Sequence, residues 1–235
     1  MRTNIITINF PQGCGGHIAG RILASSPNIA WYNHKQNGDN PWNPYMDDPS
    51  FSRLHFTRRF KEDSGRGGIP PVLDLAEKRN MDYHRKSIEP WLKKYYPKKL
   101  LYTLHADLPR TRDFFKSKKH LVIIPENMDI LTEQWMNSTY YYFVNADNKD
   151  FTYGDLYNQY SIERNIPIRE CVKEDLTLQV KQYKQDVIET DIVIQDVSEL
   201  YDNLVCEKIM KKLELSFDME RYLRVLELVD EYTHL

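Results

Sequence analysis

A glycine-rich segment near the start of the chain has the residue types and spacing of a phosphate-binding turn. Residues 11–17 read Pro-Gln-Gly-Cys-Gly-Gly-His, and apolar residues at helical spacing follow them. Glycines have no Cβ, so their backbone can adopt a positive φ and let an anion approach closely. The free N–H groups at the start of the next helix, together with the helix dipole, attract negative charge. The sequence therefore predicts an anion-binding cradle formed by Gly13, Cys14, Gly15, Gly16 and His17.

The spacing of these glycines matches neither of the common phosphate-binding motifs. No Lys-Ser or Lys-Thr pair follows them, as the GxxxxGK[ST] motif requires. Ile18 stands where a GxGxxG motif would have its third glycine. A tight strand-to-helix turn that binds nothing is the alternative interpretation of the same residues.

Two further residues have side chains suited to proton transfer or to hydrogen bonding with an anion. His105 follows an apolar run that is typical of a strand. The unperturbed pKa of a histidine, about 6.5, suits a general base. Gln12 lies inside the cradle segment and can donate neutral hydrogen bonds. A histidine that only packs at the edge of the core is the alternative for His105.

The elements that must position these residues follow from the apolar pattern. Short apolar runs predict strands at 5–10, 100–104, 121–124 and 192–194. Helical periodicity predicts helices at about 16–24, 73–94 (in two pieces), 112–119, 128–138, 170–186, 200–213 and 222–229. This alternation favours an α/β fold, with a mostly parallel central sheet and helices on both faces. Ligands of such sheets bind beyond the carboxyl ends of the strands, where the cradle and His105 are expected.

Length and composition fit a single domain. The chain has 235 residues, of which 41% are hydrophobic, and that share is enough to bury a core. We expect one α/β domain over residues 1–235. A long irregular insertion is expected at about 33–71, where Asn, Gly, Pro and Asp are frequent and no period is sustained.

Charge and cysteine content argue against several classes of function. A net charge of -2 does not favour broad binding of the chain to nucleic acid or to an anionic membrane. No apolar run approaches the roughly 18 residues that a membrane-spanning helix needs. The three cysteines, Cys14, Cys171 and Cys206, are far apart, so neither a disulfide framework nor a local zinc site is expected. The chain is predicted to be cytoplasmic and metal-free, and its oligomeric state is left open.

The order of these segments resembles the sulfotransferase superfamily over most of the chain. Members of that family open with a strand followed by Pro-Lys-Ser-Gly-Thr-Thr-Trp, and this loop holds the 5′-phosphosulfate of the donor PAPS (3′-phosphoadenosine 5′-phosphosulfate). Residues 11–17 are the matching stretch. A second family strand ends in Lys-Thr-His, whose histidine is the base, and residues 101–105 are similar. After the next strand an Arg and then a helical Ser bind the 3′-phosphate, and Ser138 is the matching serine.

Two positions depart from the family pattern. Gln12 stands where the family has the lysine of the loop, and Glu126 lies where the arginine for the 3′-phosphate is expected. Arg110 or Arg112 is the candidate to replace that arginine.

The resemblance implies a P-loop/sulfotransferase-like fold and a PAPS-dependent transfer of a sulfuryl group to a hydroxyl or an amine. The acceptor would be a small molecule or a glycan, and PAPS the co-substrate. Catalytic roles are implied for His105 and Gln12. The donor would contact Gly13, Cys14, Gly15, Gly16, His17, Arg110 and Ser138. A divergent P-loop kinase and a non-catalytic nucleotide- or anion-binding module with the same fold are the alternatives.

Overall fold

The structure is a computed structural model that describes residues 4–11, 13–31, 93, 96–104, 108–115, 119–137 and 153–233. The predicted insertion at 33–71 lies outside the described residues, as does nearly all of the predicted helical stretch at 73–94. The single domain over residues 1–235 stays a prediction.

The described residues form five strands and seven α-helices. The strands are β1 (Ile5–Asn9), β2 (Ile29–Trp31), β3 (Lys99–Leu104), β4 (Lys119–Ile123) and β5 (Ile192–Ile194). The helices are α1 (Gly16–Leu23), α2 (Leu108–Phe115), α3 (Met128–Trp135), α4 (Tyr153–Arg164), α5 (Ile168–Asp186), α6 (Asn203–Lys212) and α7 (Met219–Thr233). A 3₁₀ helix (Val197–Tyr201) precedes α6. None of these helices is both long enough and apolar enough to cross a bilayer.

All five strands belong to one parallel sheet in the order β2-β3-β1-β4-β5. The α/β class and the parallel sheet predicted from the apolar runs are thereby confirmed. All five residues of the central strand β1 are buried, so both faces of the sheet centre are covered. Because both faces are covered, the consecutive residues Ile5 and Ile6, which point to opposite faces of the sheet, are both buried.

Helices α1 and α2 cover opposite faces of β1. A Cβ on Gly16, the first residue of α1, would meet the ring of Phe10. The hydroxyl of Thr111 in α2 instead accepts a hydrogen bond from Asn9. Successive residues along a strand point to opposite faces. Since Asn9 and Phe10 are consecutive, one helix lies on each side of the sheet.

The connections that leave β1 and β4 run in opposite directions across the sheet. From β1 the chain passes to β2, beyond β3, whereas from β4 it passes to β5 at the other edge. In an open α/β sheet, a crevice for ligands forms beside the carboxyl ends of two neighbouring strands whose connections diverge in this way. β1 and β4 are direct neighbours, so the crevice lies where the segment between β1 and α1 begins.

Two helices differ from the sequence-based expectation in their bounds, and two further elements were not predicted. The helix expected at 112–119 is α2, which lies at Leu108–Phe115, and Lys119 already belongs to β4. The continuous helix expected from 200 is a 3₁₀ helix followed by α6, because Asp202 caps a new helix by accepting from the N–H of Leu204. Strand β2 and helix α4 were not predicted, since β2 has three residues and α4 no clear apolar stripe.

Candidate phosphate-binding site

The segment between β1 and α1, residues 10–15, turns through two glycines in the left-handed region. Gly13 has φ 89° and Gly15 has φ 66°, conformations that L side chains rarely adopt. The N–H of Cys14 donates to the carbonyl oxygen of Pro11 over 3.3 Å, which closes the turn. The carbonyl oxygen of Gly15 accepts from the N–H of Ala19 over 3.1 Å, so the helix begins directly after the turn. The turn and the helix lie where the sequence predicts them.

The first turn of α1 contains backbone N–H groups that the helix itself does not use. Gly15 offers no side-chain cap, and the first turn contains no acidic residue. Within the described part of the chain, no acceptor pairs with the N–H of Gly16 or of His17. Such N–H groups, aligned with the helix dipole, are suited to a phosphate or sulfate group.

Close packing surrounds the turn at Gly15 and Gly16. A Cβ on Gly15 would lie 2.9 Å from Cγ1 of Val197 in the 3₁₀ helix. A Cβ on Gly16 would lie 2.1 Å from Cδ1 of Phe10. Both positions therefore need glycine for space, and the turn is held against fixed neighbours rather than free in solvent.

Trp135 in α3 also packs against the turn, at Gly13. A Cβ on Gly13 would lie 3.3 Å from both Cβ and the backbone nitrogen of Trp135. Trp135 is fully buried and makes an edge-on contact with Tyr157 of α4, with ring centroids 5.2 Å apart. The turn thus rests on the helix that follows β4, as expected where the connections of β1 and β4 diverge.

The thiol of Cys14 inside the turn is buried and stays protonated. Desolvation, and secondarily the negative charge of Asp196, raise the pKa of this thiol far above its ordinary value. A thiol in this state is a poor nucleophile. Cys14 therefore serves the turn as a small apolar residue.

Two carboxylates follow the carboxyl ends of strands, as the turn does. Asp196 follows β5, and its side chain caps the 3₁₀ helix by accepting from the N–H of Ser198 over 2.7 Å. Glu126 follows β4, and its Oε1 accepts from Nε2 of Gln195 over 2.6 Å. Both acidic residues are exposed, so the edge combines the open amides of α1 with negative charge.

Only part of the predicted site falls within the described residues. Gln12, His105 and Ser138 lie outside them. For His17 and Arg110 the backbone is described, in α1 and in α2, but the side chains are not. The catalytic roles of His105 and Gln12, and the donor contacts of His17, Arg110 and Ser138, stay predictions.

No family model matches this chain, and no curated protein matches it. Its function must therefore be argued from the geometry of the described residues.

Arg112, the second candidate for a phosphate contact, has a structural role instead. Its guanidinium pairs with the buried carboxylate of Asp191 and donates to the carbonyl oxygen of Asp186 over 3.0 Å. Asp191 immediately precedes β5, so this pair lies at the amino ends of the strands. The carboxyl ends, where the turn begins, are at the opposite edge. The expectation that Arg112 contacts a phosphate group is therefore wrong, because its guanidinium lies at the amino ends of the strands and the turn lies at their carboxyl ends.

Sequence reasoning missed a buried polar cluster beneath β1. It consists of Thr7 and Asn9 of β1, Thr111 of α2 and His120 of β4, each at most 2% exposed. Thr7 Oγ1 lies 2.7 Å from Nδ1 of His120 and donates to Oδ1 of Asn9 over 2.9 Å. Asn9 Nδ2 donates to Oγ1 of Thr111 over 2.9 Å. The signal in the sequence was polar residues at alternate positions, 7 and 9, of an isoleucine-rich strand.

Proposed function

We propose that this protein binds the phosphate end of a nucleotide at the turn between β1 and α1 and is a PAPS-dependent sulfotransferase. One observation carries the proposal. Within the described residues, the N–H groups of Gly16 and His17 have no acceptor, and the left-handed turn that precedes them begins beside the crevice between β1 and β4. An anion at that point would gain hydrogen bonds and the favourable field of the helix dipole.

The proposed chemistry is an in-line displacement at sulfur. The acceptor oxygen or nitrogen forms the new bond to sulfur while the bond between sulfur and the phosphate oxygen breaks. The acceptor proton passes to His105, and adenosine 3′,5′-bisphosphate leaves with the bonding electron pair. Backbone N–H groups stabilise the charge that develops on the leaving phosphate.

The chain order supports His105 as the base. β3 ends at Leu104, and His105 is the next residue in the sequence. β3 pairs with β1 in parallel, with Leu104 opposite Asn9. The carboxyl ends of both strands are therefore at one edge of the sheet, and His105 follows β3 there just as the turn follows β1.

A non-catalytic anion-binding module is the second candidate, and the acidic residues favour it. Asp196 is close enough to Cys14 for its charge to raise the pKa of that thiol. Such a carboxylate, together with Glu126, would repel a second phosphate group on the ligand. A module that binds one anionic group without transferring it is compatible with this distribution of charge.

Thermal unfolding with three ligands separates the candidates. A ligand at 100 times its Kd that binds only the folded protein adds about 2.7 kcal/mol of stability. We expect PAPS and adenosine 3′,5′-bisphosphate to raise the Tm, and ATP with Mg²⁺ to have little effect. Stabilisation by ATP and Mg²⁺ alone would indicate a kinase. The absence of any shift, at matched ionic strength, would contradict nucleotide binding.

Substitution of the proposed base tests the transfer step separately. His105→Ala should abolish transfer of sulfate from PAPS, because no group would accept the acceptor's proton, while the shift in Tm with adenosine 3′,5′-bisphosphate persists. The measurement is release of that bisphosphate in the presence of candidate acceptors. A turnover equal to that of the unsubstituted protein would remove His105 from the mechanism.

A further inference from the structure

The Thr7 hydroxyl sets the direction of hydrogen bonding in the buried polar cluster. A hydroxyl has one proton, and Thr7 donates it to Oδ1 of Asn9. This direction pairs the Thr7 oxygen as acceptor with the His120 tautomer that carries its proton on Nδ1, 2.7 Å away. The Asn9 amide completes the series by donating from Nδ2 to Thr111. Each member thus fixes the orientation of the next.

The cluster is attached to the two segments on which the proposed function depends. Asn9 is the last residue of β1, and only Phe10 separates it from Pro11, whose carbonyl oxygen accepts from Cys14 in the turn. Thr111 lies in α2, the helix that follows β3 and the residue proposed as base. The hydrogen bond from Asn9 to Thr111 therefore joins the end of one strand to the helix that follows its neighbour.

The hydrogen bond from Asn9 to Thr111 is fully buried. The side chains of Asn9 and Thr111 are both 0% exposed. A buried polar group that loses a hydrogen bond cannot replace it with one to bulk water, so removing the Thr111 hydroxyl disturbs the hydrogen bonding of the Asn9 amide. Such a change at the end of β1 would also displace the turn, because only Phe10 separates Asn9 from Pro11.

We infer that Asn9 and Thr111, oriented by Thr7 and His120, position the anion-binding turn and are positioning residues for the site. The inference rests on the proposed function, since it assigns these residues to the same site. Their effect on a ligand is exerted through the backbone at residues 10–13.

A pair of substitutions at Thr111 tests the inference. Thr111→Val keeps the shape of the side chain and removes the hydroxyl, whereas Thr111→Ser keeps the hydroxyl. Thr177→Val is the matched control, because Thr177 is an exposed residue of α5 whose hydroxyl donates only within its own helix. Titration calorimetry gives the Kd for adenosine 3′,5′-bisphosphate. NMR of the ligand-free variants gives the amide resonances of Gly15, Gly16 and His17.

Thr111→Val should raise the Kd about ten-fold, equivalent to about 1.4 kcal/mol, while Thr111→Ser and Thr177→Val stay near the original value. The three amide resonances should move in Thr111→Val and return in Thr111→Ser. If Thr111→Val only lowers stability, with Kd and resonances unchanged, the cluster supports the fold alone and the inference is overturned. If the unsubstituted protein binds no bisphosphate, the proposed function fails, and the ligand-free resonances still decide whether the cluster positions the turn.

Discussion

Gly16 is the residue at which the packing and the proposed function of the turn are most closely coupled. Its N–H has no acceptor within the described part of the chain, and a Cβ at this position would lie 2.1 Å from the buried ring of Phe10. Gly16→Ala should lower the free energy of unfolding by about 1–3 kcal/mol, because one of the two groups must move. Urea denaturation measures this loss, and binding of adenosine 3′,5′-bisphosphate should weaken in parallel.

Phe10→Leu provides the control, since it removes the ring edge that the new methyl group would meet. The loss in the double variant should be smaller than the sum of the two single losses. Strict additivity would mean that Gly16 and Phe10 are not in the close contact described.

At the level of elements, the C-terminus of α6 is held by two lysines from the sheet. Lys99 at the start of β3 donates to the carbonyl oxygen of Leu213 over 3.1 Å, and Lys119 at the start of β4 donates to that of Lys212 over 3.1 Å. Both also pair with Glu214, at 2.9 Å and 3.5 Å. Cations stabilise the negative end of a helix dipole, so these lysines fix α6 against the amino ends of the strands.

Lys99→Met should therefore lower the free energy of unfolding by about 1 kcal/mol, since it keeps the apolar stem and removes the charge. The hydrogen bond and the charge of Lys99 hold the pKa of Glu214 below its ordinary value. A lowered folded-state pKa adds stability that is present above the unfolded value and lost as the pH falls through the folded value. Urea denaturation at pH 7 and pH 3 should show a weaker acid dependence in Lys99→Met. An unchanged acid dependence would contradict this assignment.

The helices and strands also show which parts of the fold could be predicted from the sequence alone. Short runs rich in isoleucine, leucine and valine predicted β1, β3, β4 and β5. Helix α4 was missed because its helical conformation depends on packing against α5 rather than on an apolar stripe of its own. The glycines of the turn were predicted as a cradle. The residues that pack against these glycines, Trp135 and Val197, were not predicted, because they are more than 100 residues away in the sequence.

At the scale of the whole molecule, an ion pair joins two elements that are distant in the sequence. Arg112 of α2 pairs with Asp191, whose side chain is 0% exposed, in the connection between α5 and β5. Arg112→Met should cost about 3–5 kcal/mol, because it leaves a buried carboxylate without its cation. The measurement is urea denaturation at pH 7.

Replacing both members should recover most of that stability. Within the described residues, Arg112 Nε and Asp191 Oδ1 have no hydrogen-bond partner, so the pair is incompletely satisfied. Arg112→Met combined with Asp191→Leu exchanges it for apolar contacts of similar size. A double variant as unstable as Arg112→Met alone would show that the charge left behind is not the source of the loss.

Strand order is a further property of the whole molecule that the sequence could not predict. The apolar runs of β1 and β4 do not specify that these strands are neighbours, because any two such runs can pair in a parallel sheet. Only the order β2-β3-β1-β4-β5 shows that the connections diverge beside the turn. The site is thus a consequence of topology as much as of the glycine-rich segment.

The most direct test of the proposed binding site is an NMR titration of the ¹⁵N-labelled protein with adenosine 3′,5′-bisphosphate. The amides of Gly16 and His17 should shift saturably, because the phosphate accepts their hydrogen bonds, and Gly15→Ala should abolish these shifts. Saturable shifts confined to other parts of the molecule, or no shifts at millimolar ligand, would contradict anion binding at the turn between β1 and α1.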